Sequence, residues 1–149
     1  MNSALAAGVS AAAVMGLTVA HHAYGAARFD TPWRLHVVHL SLWVTAAIAI
    51  CVVIHLGAPG RIVRRSGLLV ACMLTLLVPV GWIGVFEGGY SHVLKNMLYF
   101  AGLSYDTFQR LFPPPRYVVP SDWIFELTGV LQFPLGLLAA GRALRWWRT

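Results

Sequence analysis

Acidic residues are scarce in this chain of 149 residues. There are only five, Asp30, Glu87, Asp106, Asp122 and Glu126, and charged residues of both signs make up 11% of the sequence. Soluble domains carry roughly 25% charge. A surface made from this composition cannot be covered by water alone, so lipid must cover much of it. Cysteine is nearly as rare. Cys51 and Cys72 each sit in an apolar stretch with no second cysteine at metal spacing, which excludes a thiolate metal site and leaves two buried apolar thiols. The segment from Met1 to Tyr24 is apolar and Ala-rich like a secretory signal, but it lacks the basic region that precedes such a signal. It therefore reads as a retained first span.

The net charge of +6 is also not arranged as a nucleic-acid-binding stripe. Arg61, Arg64 and Arg65 share one short loop, and Arg142, Arg145 and Arg148 close the chain. Positive charge placed this way fixes membrane orientation, and nucleic acid is excluded as a partner. No internal repeat is present, and no low-complexity tract beyond the Ala-rich start.

What the sequence has in quantity is apolar length, with 58% hydrophobic residues. Four stretches are long enough to cross a bilayer as helices: residues 4–22, 33–56, 67–86 and 123–144. Pro32 suits the first turn of the second, and Gly57-Ala58-Pro59-Gly60 stops it. Pro79, Gly81 and Gly84 predict a kink in the third, and Pro134 another in the fourth. The connection 87–120 is the longest. Within it, Ser91 to Leu103 alternates polar His92, Lys95, Asn96 and Tyr99 with apolar Val93, Leu94, Met97 and Leu98, which predicts a short interfacial helix. Lys95 is expected to snorkel there. Pro113-Pro114-Pro115 predicts a stiff extended segment, and Ser121 or Asp122 the cap of the fourth span. The expected fold is an all-α membrane protein: one domain over residues 1–149, a four-transmembrane-helix bundle with a short interfacial helix in the outer loop between helices 3 and 4.

The arginine-rich loop after span two and the tail after span four fall on one side of such a bundle. Both are assigned to the cytoplasm. The expected location is a bacterial-type inner membrane, multi-pass, with both termini cytoplasmic. Trp33 and Trp123 mark the outer interface, Trp146 and Trp147 the inner one.

This topology collects chemistry at the outer, periplasmic face. His21 and His22 close span one, His36 and His39 open span two, Glu87 and His92 follow span three, and Asp122 and Glu126 open span four; His55 alone lies at the other end. His36 and His39 are three residues apart, and Asp122 and Glu126 four, so each pair shares a helix face. Facing pairs of this kind are how helix bundles build metal sites. Imidazole with carboxylate suits divalent Cu, Zn, Fe, Ni or Mn. The candidate ligands are His36, His39, Glu87, His92, Asp122 and Glu126, with His39, Glu87 and His92 at the centre. Gly88 and Gly89 provide a turn that aims Glu87 and His92 at one point. A buried Glu126 needs a partner, for which His39, Glu87 or the metal are the expected groups. Against this stand plainer roles: Asp122 as a helix cap, His36 bonded to a backbone carbonyl, His21 and His22 as interfacial polar residues.

Three other functions compete with metal handling or metal-dependent membrane chemistry. One is electron transfer through a b-type haem held by His22 or His36 together with His39 or His92. His39 and His55 are sixteen residues apart, about 160° around a helix, and cannot line a stack of two haems. The second is an accessory subunit of a larger membrane complex, or a homo-oligomer. The third is a small enzyme using Glu87, His92 and Asp122 as acid and base on a lipid or quinone admitted between spans three and four. The span centres hold no charge, only Thr45, Thr75, Thr128 and Gln132, which suit interhelical hydrogen bonds rather than an ion path.

Overall fold

The computed structural model describes residues 2–148, and every regular element among them is helical. Helix α1 runs Ser3–Arg28, capped by the Asn2 side chain, which accepts from the Ala4 N–H. A positive-φ Asp30 (φ 49°) turns the chain. Pro32–Arg34 forms a single 3-10 turn that leads into α2, Leu35–Gly57. Gly57 to Gly60 breaks the chain there, and α3 runs unbroken over Arg61–Phe100. A short α4, Tyr105–Leu111, precedes α5, Trp123–Trp147, whose N-cap is Asp122. Helix α1, residues Pro32–Gly57, helix α3 and helix α5 are each long and apolar enough to cross a membrane.

One expectation changes in α3. The helix runs through Pro79 without interruption, and residues 91–100 are not a separate helix: they continue the third helix. Proline removes one backbone donor and pushes on the carbonyl four residues before it. Here the strain is taken up by widening: Leu76–Leu94 is bonded i→i+5, as a π-helix. The forty residues of α3 are more than the roughly 20 that a helix needs to cross a bilayer of about 30 Å. The helix in the connection is instead α4. It is tied down by a chain of rings, Tyr99 on Phe108, Phe108 on Phe112, and Phe112 on Tyr90 and Tyr117, at centroid separations of 5.2–5.5 Å. The proline run is not extended either. The Tyr117 N–H donates to the Pro113 carbonyl, which closes a turn.

The core lies along the small-residue face of α1 (Ala4, Ala7, Ala11, Val14) against Val44, Ile48 and Val52 of α2 and Ala139 and Trp146 of α5. The tightest approach is between α3 and α5. A Cβ added to Gly84 would lie 2.8 Å from the Gly136 Cα, and one on Gly88 would lie 2.6 Å from the Phe133 backbone N. Gly84 and Gly88 are therefore spacers that bring two backbones together, in the manner of small-xxx-small pairs in lipid. The lipid cleft expected between spans three and four is closed by this contact.

At one end of the bundle Asp122, the N-cap of α5, ties that helix to α1. Its carboxylate accepts from the Phe125 N–H at 3.0 Å, from the Tyr24 hydroxyl at 2.9 Å and from Arg28 Nε at 2.9 Å. The Phe125 N–H, then Tyr24 and Arg28, hold its carboxyl below the usual carboxylate range. A lowered folded-state pKa adds stability that is present above the unfolded carboxylate pKa and lost as pH falls through the folded one. Asp122→Ala is thus expected to melt below the parent at neutral pH, and the gap should close under acid. A gap that persisted unchanged in acid would remove the carboxylate from the explanation.

Candidate metal centre

The Asp122 end of the bundle holds a buried cluster assembled from three helices. His21 and His22 of α1 are 0% and 4% exposed, and His92 of α3 is 2% exposed. Glu126 sits one turn into α5 and is also buried. Its partners are neither His39 nor Glu87. Oε2 accepts from His92 Nδ1 at 2.8 Å and Oε1 from Lys95 Nζ at 2.7 Å. Lys95 does not snorkel. It is 1% exposed and gives a second hydrogen bond to the Val118 carbonyl at 3.0 Å, fastening the connection over the cluster.

Glu87 and His92 meet because of the wide helix. Residues five apart in an α-helix point about 140° away from each other, whereas i→i+5 bonding sets them about one turn apart on one side. The two glycines between them remain helical and make no sharp turn. The result is a Glu87 Oε1 that lies 3.9 Å from His92 Nε2 and 3.8 Å from His22 Nε2. Gly129 of α5 leaves room for the His92 ring: a Cβ there would fall 2.3–2.4 Å from three of its ring atoms.

The tautomers follow from the partners. The Thr128 hydroxyl donates to the Ile124 carbonyl at 2.8 Å, so its oxygen accepts from His21 Nδ1 at 2.9 Å. That leaves His21 neutral with a lone pair on Nε2, and Nε2 is buried with no hydrogen-bond partner. Neither His22 ring nitrogen has a hydrogen-bond partner among the described residues, although Glu87 Oε1 lies 3.8 Å from Nε2. His92 gives its Nδ1 proton to Glu126, which frees its Nε2 in the same way. A carboxylate or hydroxyl behind a histidine, fixing the ring and baring the other nitrogen, is the support that metal-ligating histidines receive. One ligand atom each from His21, His22 and Glu87 lie within 4.8 Å of one another, a group that could hold a metal ion.

The sequence-derived ligand set divides. Glu87 and His92 come together, and Glu126 stands behind His92. Asp122 is engaged as cap and partner of Tyr24 and Arg28. His36 bonds through Nδ1 to the Trp33 carbonyl and lies at the rim of the pocket beside the cluster. His39 is exposed and makes no hydrogen bond or ion pair with Glu87 or Glu126 among the described residues. The buried face of α2 is Val37, Ser41, Val44, Ile48 and Val52. At about 100° per residue His39 lies nearly opposite that face. Helix pairing did set His36 and His39 close in angle, but on the wrong side of the helix. His21, read from the sequence as interfacial, and His22, read there only as a haem ligand or an interfacial polar residue, are the residues that complete the group. The signal was their position within an apolar helix that does not end at His22 but continues to Arg28.

No family model, curated protein or solved structure matches the chain.

Proposed function

We propose that this is a multi-pass inner-membrane protein, both termini cytoplasmic, that holds a divalent transition metal at its outer face through His21, His22 and Glu87, with His92 as a fourth ligand. The observation that carries this reading is a pair of buried imidazoles beside a carboxylate, with His21 Nε2 and both His22 ring nitrogens lacking a hydrogen-bond partner among the described residues. His21 Nε2 is bared by a tautomer that Thr128 fixes, and buried polar atoms without partners are rare. A tetrahedral zinc site with ligands at 2.0–2.2 Å needs ligand atoms about 3.4 Å apart. The 3.8 and 3.9 Å separations of Glu87 from His22 and His92 are near that value, and the His21, His22 and Glu87 ligand atoms, within 4.8 Å of one another, would have to draw together around an ion. Two histidines with one carboxylate suit Zn(II), or Fe(II) as a facial triad with open positions. The open side faces the pocket beside Glu87, which favours metal-dependent chemistry over a closed structural site. A haem bridging His22 and His92 would have to displace Glu87, which lies within 4 Å of both.

Elemental analysis and optical spectroscopy of detergent-purified protein test this. The parent should carry about one metal per chain and show no Soret band. His22→Ala and Glu87→Ala should lose the metal, His39→Ala should keep it, and acid should release it because protons compete for the ligands. Metal retained by both His22→Ala and Glu87→Ala, or lost from His39→Ala alone, would sink this assignment.

A further inference from the structure

Beside the cluster is a pocket of about 410 Å³, and its cations outnumber the carboxylates that reach them. Arg34, Lys95 and Arg116 line it with Glu87 as the lining carboxylate. Lys95 is satisfied by Glu126. Arg34 is different. It is 4% exposed, and among the described residues no carboxylate pairs with it. Its Nε donates to Thr31 Oγ1 and its Nη2 to the Arg116 carbonyl, and its guanidinium lies over the rings of Trp33 and Phe125 at 4.8 and 5.3 Å. Glu87 and Glu126 act on it only through space, and a buried guanidinium without a directly bonded counterion is costly. What it best accepts is an oxyanion, carboxylate or phosphate. Arg116 is exposed in the connection above, its guanidinium over Phe86 and Tyr117, and it also has no carboxylate partner.

The rest of the wall is apolar: Trp33 and Val37 from the start of α2, Trp82 and Ile83 from α3, and Phe125 from α5. Helix α2 packs along the first part of α3 and on α1, but hardly on the π-helical part of α3. The pocket therefore lies where α2 and α3 diverge. Trp33 and Trp82, 45% and 39% exposed, stand on either side of that gap, which in a bilayer faces lipid.

We propose that this pocket binds an anionic amphiphile, a carboxylate or phosphate head between Arg34 and Arg116 with its apolar chain leaving between Trp33 and Trp82. The proposal goes beyond the metal site and does not need it: Glu87 and Glu126 reach Arg34 only through space, with no ion pair to it among the described residues, so the remaining guanidinium donors are left for an oxyanion. A divalent ion at Glu87 would add positive charge and strengthen the demand for an anion.

Isothermal titration in neutral detergent would test it with decanoate, dodecyl phosphate, decanol and inorganic phosphate. Decanoate or dodecyl phosphate should bind saturably and at least about tenfold more tightly than decanol or inorganic phosphate; the tighter of the two identifies the head. Arg116→Gln, on an exposed side chain, and Arg34→Lys, which keeps charge but loses the planar fork, should each weaken that binding about tenfold. Decanol binding as tightly would reduce the pocket to an apolar crevice, and inorganic phosphate binding as tightly would make it a site for soluble anions. Either result overturns the proposal, as does unchanged affinity in both variants. Repeating the titration after chelation separates the two readings: metal content reports on the His/Glu centre, and amphiphile affinity on the arginines.

Discussion

Replacing Glu126 with leucine is expected to destabilise the protein by about 3–5 kcal/mol, the range for removing one partner of a buried ion pair. The reason lies in what remains. Lys95 keeps its charge at 1% exposure with only the Val118 carbonyl as partner, and the His92 Nδ1 proton loses its acceptor. Thermal unfolding followed with a thiol-reactive dye is suitable, because Cys72 is buried in the fold and becomes reactive as it opens. Glu126→Gln keeps the shape and one acceptor and should fall between parent and leucine. Adding Lys95→Met to Glu126→Leu should recover part of the loss, since replacing both ions of a buried pair with apolar groups is often neutral. If Glu126→Leu melted with the parent, the pair would lie in water and the cluster would not be a buried one.

The long elements were legible because lipid-facing helices leave one plain trace, apolar length. The trace of the site was fainter. Placing ionisable residues by depth correctly gathered His21, His22, Glu87, His92 and Glu126 at one end, but depth does not give the angle around each helix. For α2 the angle was set by Val37, Ser41 and Val44, which turn His39 away. For α3 it was set by hydrogen-bond register. Glu-x4-His points apart in an α-helix and together in a π-helix, and no composition rule separates those outcomes. Glu126 was recognised as needing a partner, yet Lys95 was assigned to the water interface because the helix was expected to end at Phe86. One extra helical segment changes Lys95 from a surface cation into a buried one.

The same extension accounts for the pocket. Continued to Phe100, α3 gives the connection something to pack on, through Tyr90, Tyr99 and Lys95. Arg116 and Tyr117 are thereby held over the cluster rather than free in a loop. Gly84, read from the sequence as a kink residue, and Gly88, read as part of a turn, instead bring the α3 backbone against Gly136 and Phe133 of α5, and His92 packs against Gly129 of the same helix.

That contact yields the second large effect. Gly129→Ala adds a single methyl whose position falls 2.3–2.4 Å from Cγ, Cδ2 and Nδ1 of His92. The ring cannot rotate away freely: it is 2% exposed, its Nδ1 is bonded to Glu126, and the His21 and Phe125 rings lie 4.7 and 5.2 Å from it. Either α5 backs away from α3, undoing the Gly84–Gly136 approach, or His92 leaves Glu126 and its Nε2 leaves Glu87. Overpacking of this kind costs about 1–3 kcal/mol. Disturbing the carboxylate–histidine support of a metal ligand weakens metal binding about 10–100-fold. Gly16→Ala and Gly141→Ala add the same methyl inside helices where no atom lies within 4 Å, so both should titrate metal as the parent does and melt at or slightly above it, since helix-interior Gly is less favourable than Ala by about 0.5–1 kcal/mol. Gly129→Val should be worse than Gly129→Ala in both. A Gly129→Ala protein with the parent's metal affinity would mean that His92 is not a ligand and that the ion is held by His21, His22 and Glu87 alone. One that also kept the parent's melting temperature would mean that α3 and α5 do not meet at this point.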